Sequence, residues 1–191
     1  PRDFSVVREK IQIPVIDVNM LEDDVLYIQL HNFSGTAPSA FAKAMVENSS
    51  KPVRGIVLDL RNNPGGFLDA AVKLAGWFLD KGEVVAIQRF SSGEDRVYKA
   101  EGNGVLKDIP VVILVNEGSA SASEILAGAL RVHNDSQLVG KQTFGKGTVQ
   151  QLEPLSDGST LKVTIANWLL PDETLIEEKG LTPNFVVDLS E

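Results

Sequence analysis

The sequence runs to 191 residues, enough for one well-buried α/β domain and a small appendage. Hydrophobic residues make up 43% and charged residues 23%, as in an ordinary globular chain, and no apolar run approaches the roughly 18 residues that span a bilayer. A formal net charge of −8, from 26 acidic against 18 basic residues, argues against nucleic acid or anionic lipid as partners, and the lack of cysteine removes disulfides, thiolate metal sites and cysteine nucleophiles together.

The chain starts at Pro1 without a methionine, and residues 1–9 read as a linker remnant from a missing preceding domain. Lys10–Ile16 and Val25–His31 have strand patterning around a polar Leu21–Asp24 turn. Ser39–Glu47 reads as a helix, with Ala37, Phe41, Ala44 and Met45 at helical spacing, and Lys51-Pro52 breaks it. Gly55–Leu60 reads as a strand buried on both faces. After the sharp turn Arg61–Gly66, an apolar stripe through Leu68, Ala71, Val72, Ala75, Phe78 and Leu79 predicts a helix over Phe67–Asp80, ended by Gly82. Glu83–Phe90 and Arg96–Ala100 flank a Ser/Gly/Asp turn as a hairpin does. Ile109–Val115 is a further strand, and a Gly/Ser/Ala-rich turn leads from it into a helix reaching about Val132. A short strand at Gln137–Val139 precedes the loop Gly140–Gly147, and strands at Thr148–Leu152 and Thr160–Leu169 follow. Strands alternating with helices make this an α/β chain.

Two segments carry the chemistry. Between a buried strand and a helix lies Gly118-Ser119-Ala120-Ser121-Ala122-Ser123-Glu124. A serine there is presented at the edge of the sheet, where the orphan N–H groups of the helix start can hold an oxyanion. The same spacing from Ser121 to Glu124 is also that of a plain capping box, and composition does not tell the three serines apart.

The second segment, Gly140–Thr148, nearly matches a phosphate-binding loop, but Gly147 stands where a hydroxyl is required and the next residues look extended rather than helical. The other chemical use of Lys146 is as a base. A solvated ammonium, pKa ~10.4, does not accept a proton at neutral pH, whereas burial lowers that value, and the flanking glycines are expected to let the side chain tuck inward. Of the two histidines, His133 lies twelve residues beyond Ser121 on the same helix. At 1.5 Å per residue that is roughly 18 Å away, too far to serve it. His31, at a strand end, has surroundings that suggest only packing or surface roles.

Read together, Ser119–Ile125 (SASASEI), Thr143–Gln151 (TFGKGTVQQ) and Leu58–Gly66 (LDLRNNPGG) resemble the signature segments of the C-terminal processing, or tail-specific, peptidases. The resemblance extends in order and spacing from about Lys10 to Val187. It implies a β-β-α superhelix similar to Clp-type peptidases and crotonases, with added hairpin and strand elements, filling residues 1–191 as a catalytic core. It implies Ser121 as nucleophile, Lys146 as general base and Gln150 as the residue orienting the lysine. It further implies backbone oxyanion donors at Ala122 and at Gly65 or Gly66, with no cofactor and no metal. The expected activity is serine endopeptidase cleavage of polypeptides near their C-termini, with an extracytoplasmic location and a PDZ domain elsewhere in the full-length protein. Alternatives are a non-enzymatic ligand- or peptide-binding domain of the same fold, a crotonase-like acyl-CoA enzyme, or a nucleotide site at Gly140–Lys146.

Overall fold

A computed structural model describes residues 14–188. The linker expected at residues 1–9 and the first part of the strand expected from Lys10 lie outside the described residues. Ten strands and three α-helices follow in the order β1 (Ile16–Met20), β2 (Val25–Leu30), α1 (Ala37–Asn48), β3 (Gly55–Asp59), α2 (Leu68–Ala75), β4 (Val84–Phe90), β5 (Asp95–Lys99), β6 (Val111–Val115), α3 (Ala122–Asn134), β7 (Gln137–Gly140), β8 (Thr148–Pro154), β9 (Thr160–Leu169) and β10 (Phe185–Val186). No helix among the described residues is long and apolar enough to cross a membrane.

The larger sheet has the order β1-β2-β3-β6-β7-β10 and is parallel except for the β1–β2 pair. Each step from β2 to β3, β3 to β6 and β6 to β7 crosses over through a helix. Right-handed crossovers running in one direction across a sheet put all three helices on one face. Leu26, Ile28, Leu30, Ile56, Leu58, Ile113 and Leu138 fill that face against Phe41, Leu74, Phe78, Leu126 and Leu130. The opposite face carries Tyr27, Val57, Val112, Leu114 and Val139, all half-buried. Gly55–Leu60 is therefore not buried on both faces as its apolar run suggested, because the topology leaves one side of the sheet without helices.

The second difference concerns the helix expected over Phe67–Asp80. It closes at Ala75, where the chain tightens so that Trp77 and Phe78 N–H donate three residues back, to Leu74 and Ala75. Phe78 and Leu79 stay fully buried, so the apolar stripe continues beyond the point where helical bonding stops. At Gly76 the backbone of Gly102 comes so near that a Cβ would lie 2.6 Å from the Gly102 nitrogen. The smaller sheet, β5-β4-β9-β8, is antiparallel, and β8 and β9 extend beyond the body as a largely exposed hairpin.

Candidate active site

The loops that leave β3, β6 and β7 at their C-terminal ends converge, as loops do in open parallel sheets. The first is Leu60–Gly66. Its anchor is Asn63, fully buried, whose amide donates to Leu30 O (2.6 Å) and whose Oδ1 accepts the Gly65 N–H (2.9 Å). Gly65 (φ +92°) and Gly66 (φ +149°) adopt conformations that side chains resist. A Cβ on Gly65 would lie 2.6 Å from Ala120 O and 2.9 Å from Ala122 N, and one on Gly66 only 2.4 Å from Phe33 O. The two glycines thus let this turn lie against the start of α3 on one side and against Phe33 on the other. Of the two expected oxyanion donors in the turn, Gly65 already spends its N–H on Asn63, whereas the N–H of Gly66, an exposed residue, has no partner among the described residues.

Behind the turn, Asp59 is fully buried at the end of β3. Burial pushes its carboxyl up, but the Arg61 fork (2.6–3.1 Å) and the Tyr27 hydroxyl (2.6 Å) outweigh that and hold it below the usual carboxylate range. The Tyr27 hydroxyl is raised, by burial first and then by the hydrogen bond it donates to Asp59.

The second loop separates the three serines. Ser119 is fully buried, its hydroxyl donating to Leu60 O (2.8 Å) and accepting the Asn116 N–H (3.0 Å). Ser123 is buried too, and donates to Asn63 O (2.9 Å). Both stitch this loop to the Leu60–Gly66 turn. Ser121 alone is half-buried, at the N-cap of α3 with φ 57° and ψ −114°. A non-glycine residue held there stores roughly 1–3 kcal/mol of backbone strain, the kind of sharp strand-to-helix turn that exposes a nucleophile. The N–H of Ala122, first residue of α3, has no partner among the described residues.

The third loop is tied to the second by Glu124. This fully buried carboxylate accepts the N–H groups of Ser121 (2.8 Å) and Lys146 (3.0 Å) on Oε2, and the Thr143 hydroxyl (2.5 Å) and Gly145 N–H (2.7 Å) on Oε1. The backbones of Ser121 and Lys146 therefore meet at one oxygen atom. The S-x-x-E spacing flagged Glu124 as a helix cap, which it is, but its bonds to the lysine loop join residues about 20 positions apart and leave no mark in local pattern.

The lysine itself differs from expectation. Gly145 and Gly147 are buried because residues 176–180 pass directly over them, a Cβ on Gly147 reaching 2.3 Å from Glu177 N. The Gly147 N–H donates to Glu177 (2.6 Å). The glycines thus bury the loop backbone, whereas the Lys146 side chain is exposed and its ammonium has no hydrogen bond or ion pair among the described residues. Gln150 is exposed on β8, opposite Thr164 and beside a bulge, and its amide makes no hydrogen bond to Lys146 among the described residues. His31 pairs with Asp17 (2.7 Å) and His133 with Val84 O (2.8 Å), so both have structural partners away from Ser121. The Gly140–Lys146 loop runs into strand β8, not into a helix whose N-terminus would hold a phosphate.

A sequence model of peptidase family S41 matches residues 24–187. The chain is 37% identical over 187 residues to the carboxy-terminal processing protease CtpA of Bacillus subtilis, covering 98% of this chain and 40% of that protein. It is 40% identical over 190 residues to a probable CtpA-like serine protease of Staphylococcus aureus, covering 98% and 38%. Among solved structures it superposes on a photosystem II D1 C-terminal processing protease with a TM-score of 0.85 and 34% identity, over 95% of this chain and 50% of that one. The tricorn protease, at 15% identity and a TM-score of 0.55 over 86% of this chain and 15% of that one, shares the fold alone. The chain thus spans about two fifths of the length of the curated relatives it matches.

Proposed function

The chain belongs to peptidase family S41, and we propose that it is the catalytic core of a serine endopeptidase that cleaves polypeptides near their C-termini. Ser121 is the nucleophile and Lys146 the general base. Neutral Lys146 takes the Ser121 proton as Oγ bonds to the scissile carbonyl carbon, and the oxyanion that forms is held by the N–H groups of Ala122 and Gly66. Collapse expels the amine, which takes up the proton. Water then adds to the acyl-enzyme with Lys146 again accepting a proton, and Ser121 is released. Each oxyanion donor is worth about 3–4 kcal/mol of transition-state stabilisation.

The observation that carries this reading is the division of labour among the serines. Two hydroxyls are locked into the scaffold, while the third stands open at a strained helix start beside two unpartnered N–H groups. On this reading the Lys146 amine, exposed in the free protein, is covered only when substrate binds. An extended chain laid along β8, the open edge of the smaller sheet that begins two residues after Lys146, would cover the amine and bring Gln150 beside it. An extracytoplasmic location, implied by the signature segments, belongs to the same proposal.

Ser121→Ala and Lys146→Ala are each expected to abolish cleavage of fluorescein-labelled casein while circular dichroism stays unchanged. A Lys146→Ala chain that cleaves at near the wild-type rate overturns the base assignment.

A further inference from the structure

Each of the three converging loops lends its first residues to a cleft of about 730 Å3, lined by Arg61 and Asn62 after β3, Asn116 and Glu117 after β6, and Lys141 after β7. Gln29 at the end of β2 and Asp188 beyond β10 complete its polar lining. Gln29 alternates with the buried Ile28 and Leu30, so it stands on the face without helices. Open parallel sheets take ligands outside their carboxyl ends, and the volume is that of a small-ligand site.

The charges of the cleft are sorted by strand. Arg61 spends Nε and Nη2 on Asp59, while its Nη1 makes no hydrogen bond among the described residues. The Asn62 side chain only accepts, from Asn116 (2.9 Å), which leaves its NH2 group unspent, and the Gln29 amide has no partner among the described residues either. Donors to spare thus follow β2 and β3. Glu117 and Asp188 follow β6 and β10, with the Lys141 ammonium between them (3.5 and 2.8 Å). One ammonium against two carboxylates leaves that end negative. In the order β2-β3-β6-β7-β10, Asp188 lies three steps from Arg61, roughly 14 Å at ~4.8 Å per strand. An extended chain at ~3.4 Å per residue covers that span with about four residues.

We propose that this cleft holds a short peptide with both ends free, its α-carboxylate on Arg61, Asn62 and Gln29 and its α-ammonium on Glu117 and Asp188. The inference rests on the peptidase reading and gives it a product site, because cutting close to a C-terminus releases a fragment of this kind. The loops that line the cleft reach Gly66 and Ser121 four residues after Asn62 and Glu117, which joins it to the reacting centre through shared backbone.

The test titrates the full chain, carrying Ser121→Ala to prevent turnover, with tetra-alanine and with its N-acetylated, C-amidated and doubly blocked forms by isothermal calorimetry. Tetra-alanine should bind, and blocking either end should weaken it about 10-fold or more, the loss expected when charge-assisted hydrogen bonds are forfeited. Glu117→Gln with Asp188→Asn should abolish the penalty of acetylation and keep that of amidation. Asn62→Asp retains the oxygen that accepts from Asn116 and turns the unspent NH2 into a second oxygen, so it should abolish the penalty of amidation instead. Binding of the free and doubly blocked peptides with equal affinity overturns the site, as does binding of neither. An acetylation penalty that survives the loss of both carboxylates overturns it too. Labelling of wild-type Ser121 by an alkyl fluorophosphonate, in which Oγ bonds to phosphorus, fluoride leaves and the serine proton passes to base, judges the peptidase reading separately. A chain that shows both end effects yet does not label keeps its peptide cleft and loses the peptidase reading.

Discussion

Glu124 accepts four hydrogen bonds while exposing none of its own surface, and every one of the four donors belongs to the serine turn or the lysine loop. A carboxylate suits this place because all of its lone pairs can accept and nothing on it needs to donate. Glutamine keeps the shape and turns one oxygen into an NH2 group, which then faces donors. Glu124→Gln is therefore expected to cost about 2–4 kcal/mol, measured by urea unfolding, from the donors left unsatisfied. It should also slow fluorophosphonate labelling of Ser121 by about 100-fold or more, since a displacement near 1 Å between reacting groups has that effect. A variant that is destabilised yet labels at the wild-type rate would reduce Glu124 to a helix cap. Ser121 itself needs the turn that holds it: with φ at 57°, its backbone is one that serine avoids unless its surroundings impose it.

At the scale of elements, the loops carry the constraints and the strands and helices supply the frame. α2 stops at Ala75 because the segment after β5 threads back across its end. Gly104 donates to Gly76 O (3.0 Å) and Leu106 to Trp77 O (2.8 Å), with Gly102 wedged against Gly76 between them. A Cβ on Gly102 would lie 2.0 Å from Gly76 O, a backbone atom with no side-chain freedom to yield. Gly102→Ala should therefore destabilise the fold by about 3 kcal/mol in a denaturant titration, an overpacking cost. It should leave Ser121 labelling in the surviving folded fraction intact, because the wedge lies beside α2 and not in the loops around Ser121. Equal stability of variant and wild type would show that the backbone there moves aside freely.

For the molecule as a whole, the helices all cover one face of the larger sheet. Asp59 is buried at the C-terminal end of β3, and its carboxyl is held below the usual range by Arg61 and Tyr27. A folded-state pKa below the unfolded value of ~3.9 contributes stability at all pH values above it, and that contribution disappears as pH falls through the folded-state pKa. Asp59→Asn should accordingly cost about 2–3 kcal/mol at pH 7, less than for a fully enclosed pair because Arg61 can rehydrate. The gap between variant and wild type should persist to about pH 5 and narrow below pH 4. A gap that stays constant down to pH 2 would show that the ionised carboxylate is not what stabilises the turn.

Much of this protein was legible without coordinates. The order of strands and helices, the hairpin after β4 and the three signature segments are local, set by side-chain periodicity and by turn residues acting within a few positions, and it is the resemblance of those segments to the tail-specific peptidases that points to Ser121 and Lys146 as the proposed nucleophile and base. What the chain order could not express were partnerships across long separations. Ser119 and Ser123 were removed from contention by carbonyls 59 and 60 residues away. Gly66 was separated from Gly65 by the side chain that occupies the latter's N–H, and Glu124 became a bridge through a loop 22 residues downstream. The open face of the sheet and the outward Lys146 side chain were likewise decided only when the crossovers and the 176–180 segment closed over their neighbours. Burial and hydrogen-bond satisfaction belong to the packed chain, since each depends on which groups from distant parts of the sequence share the same space.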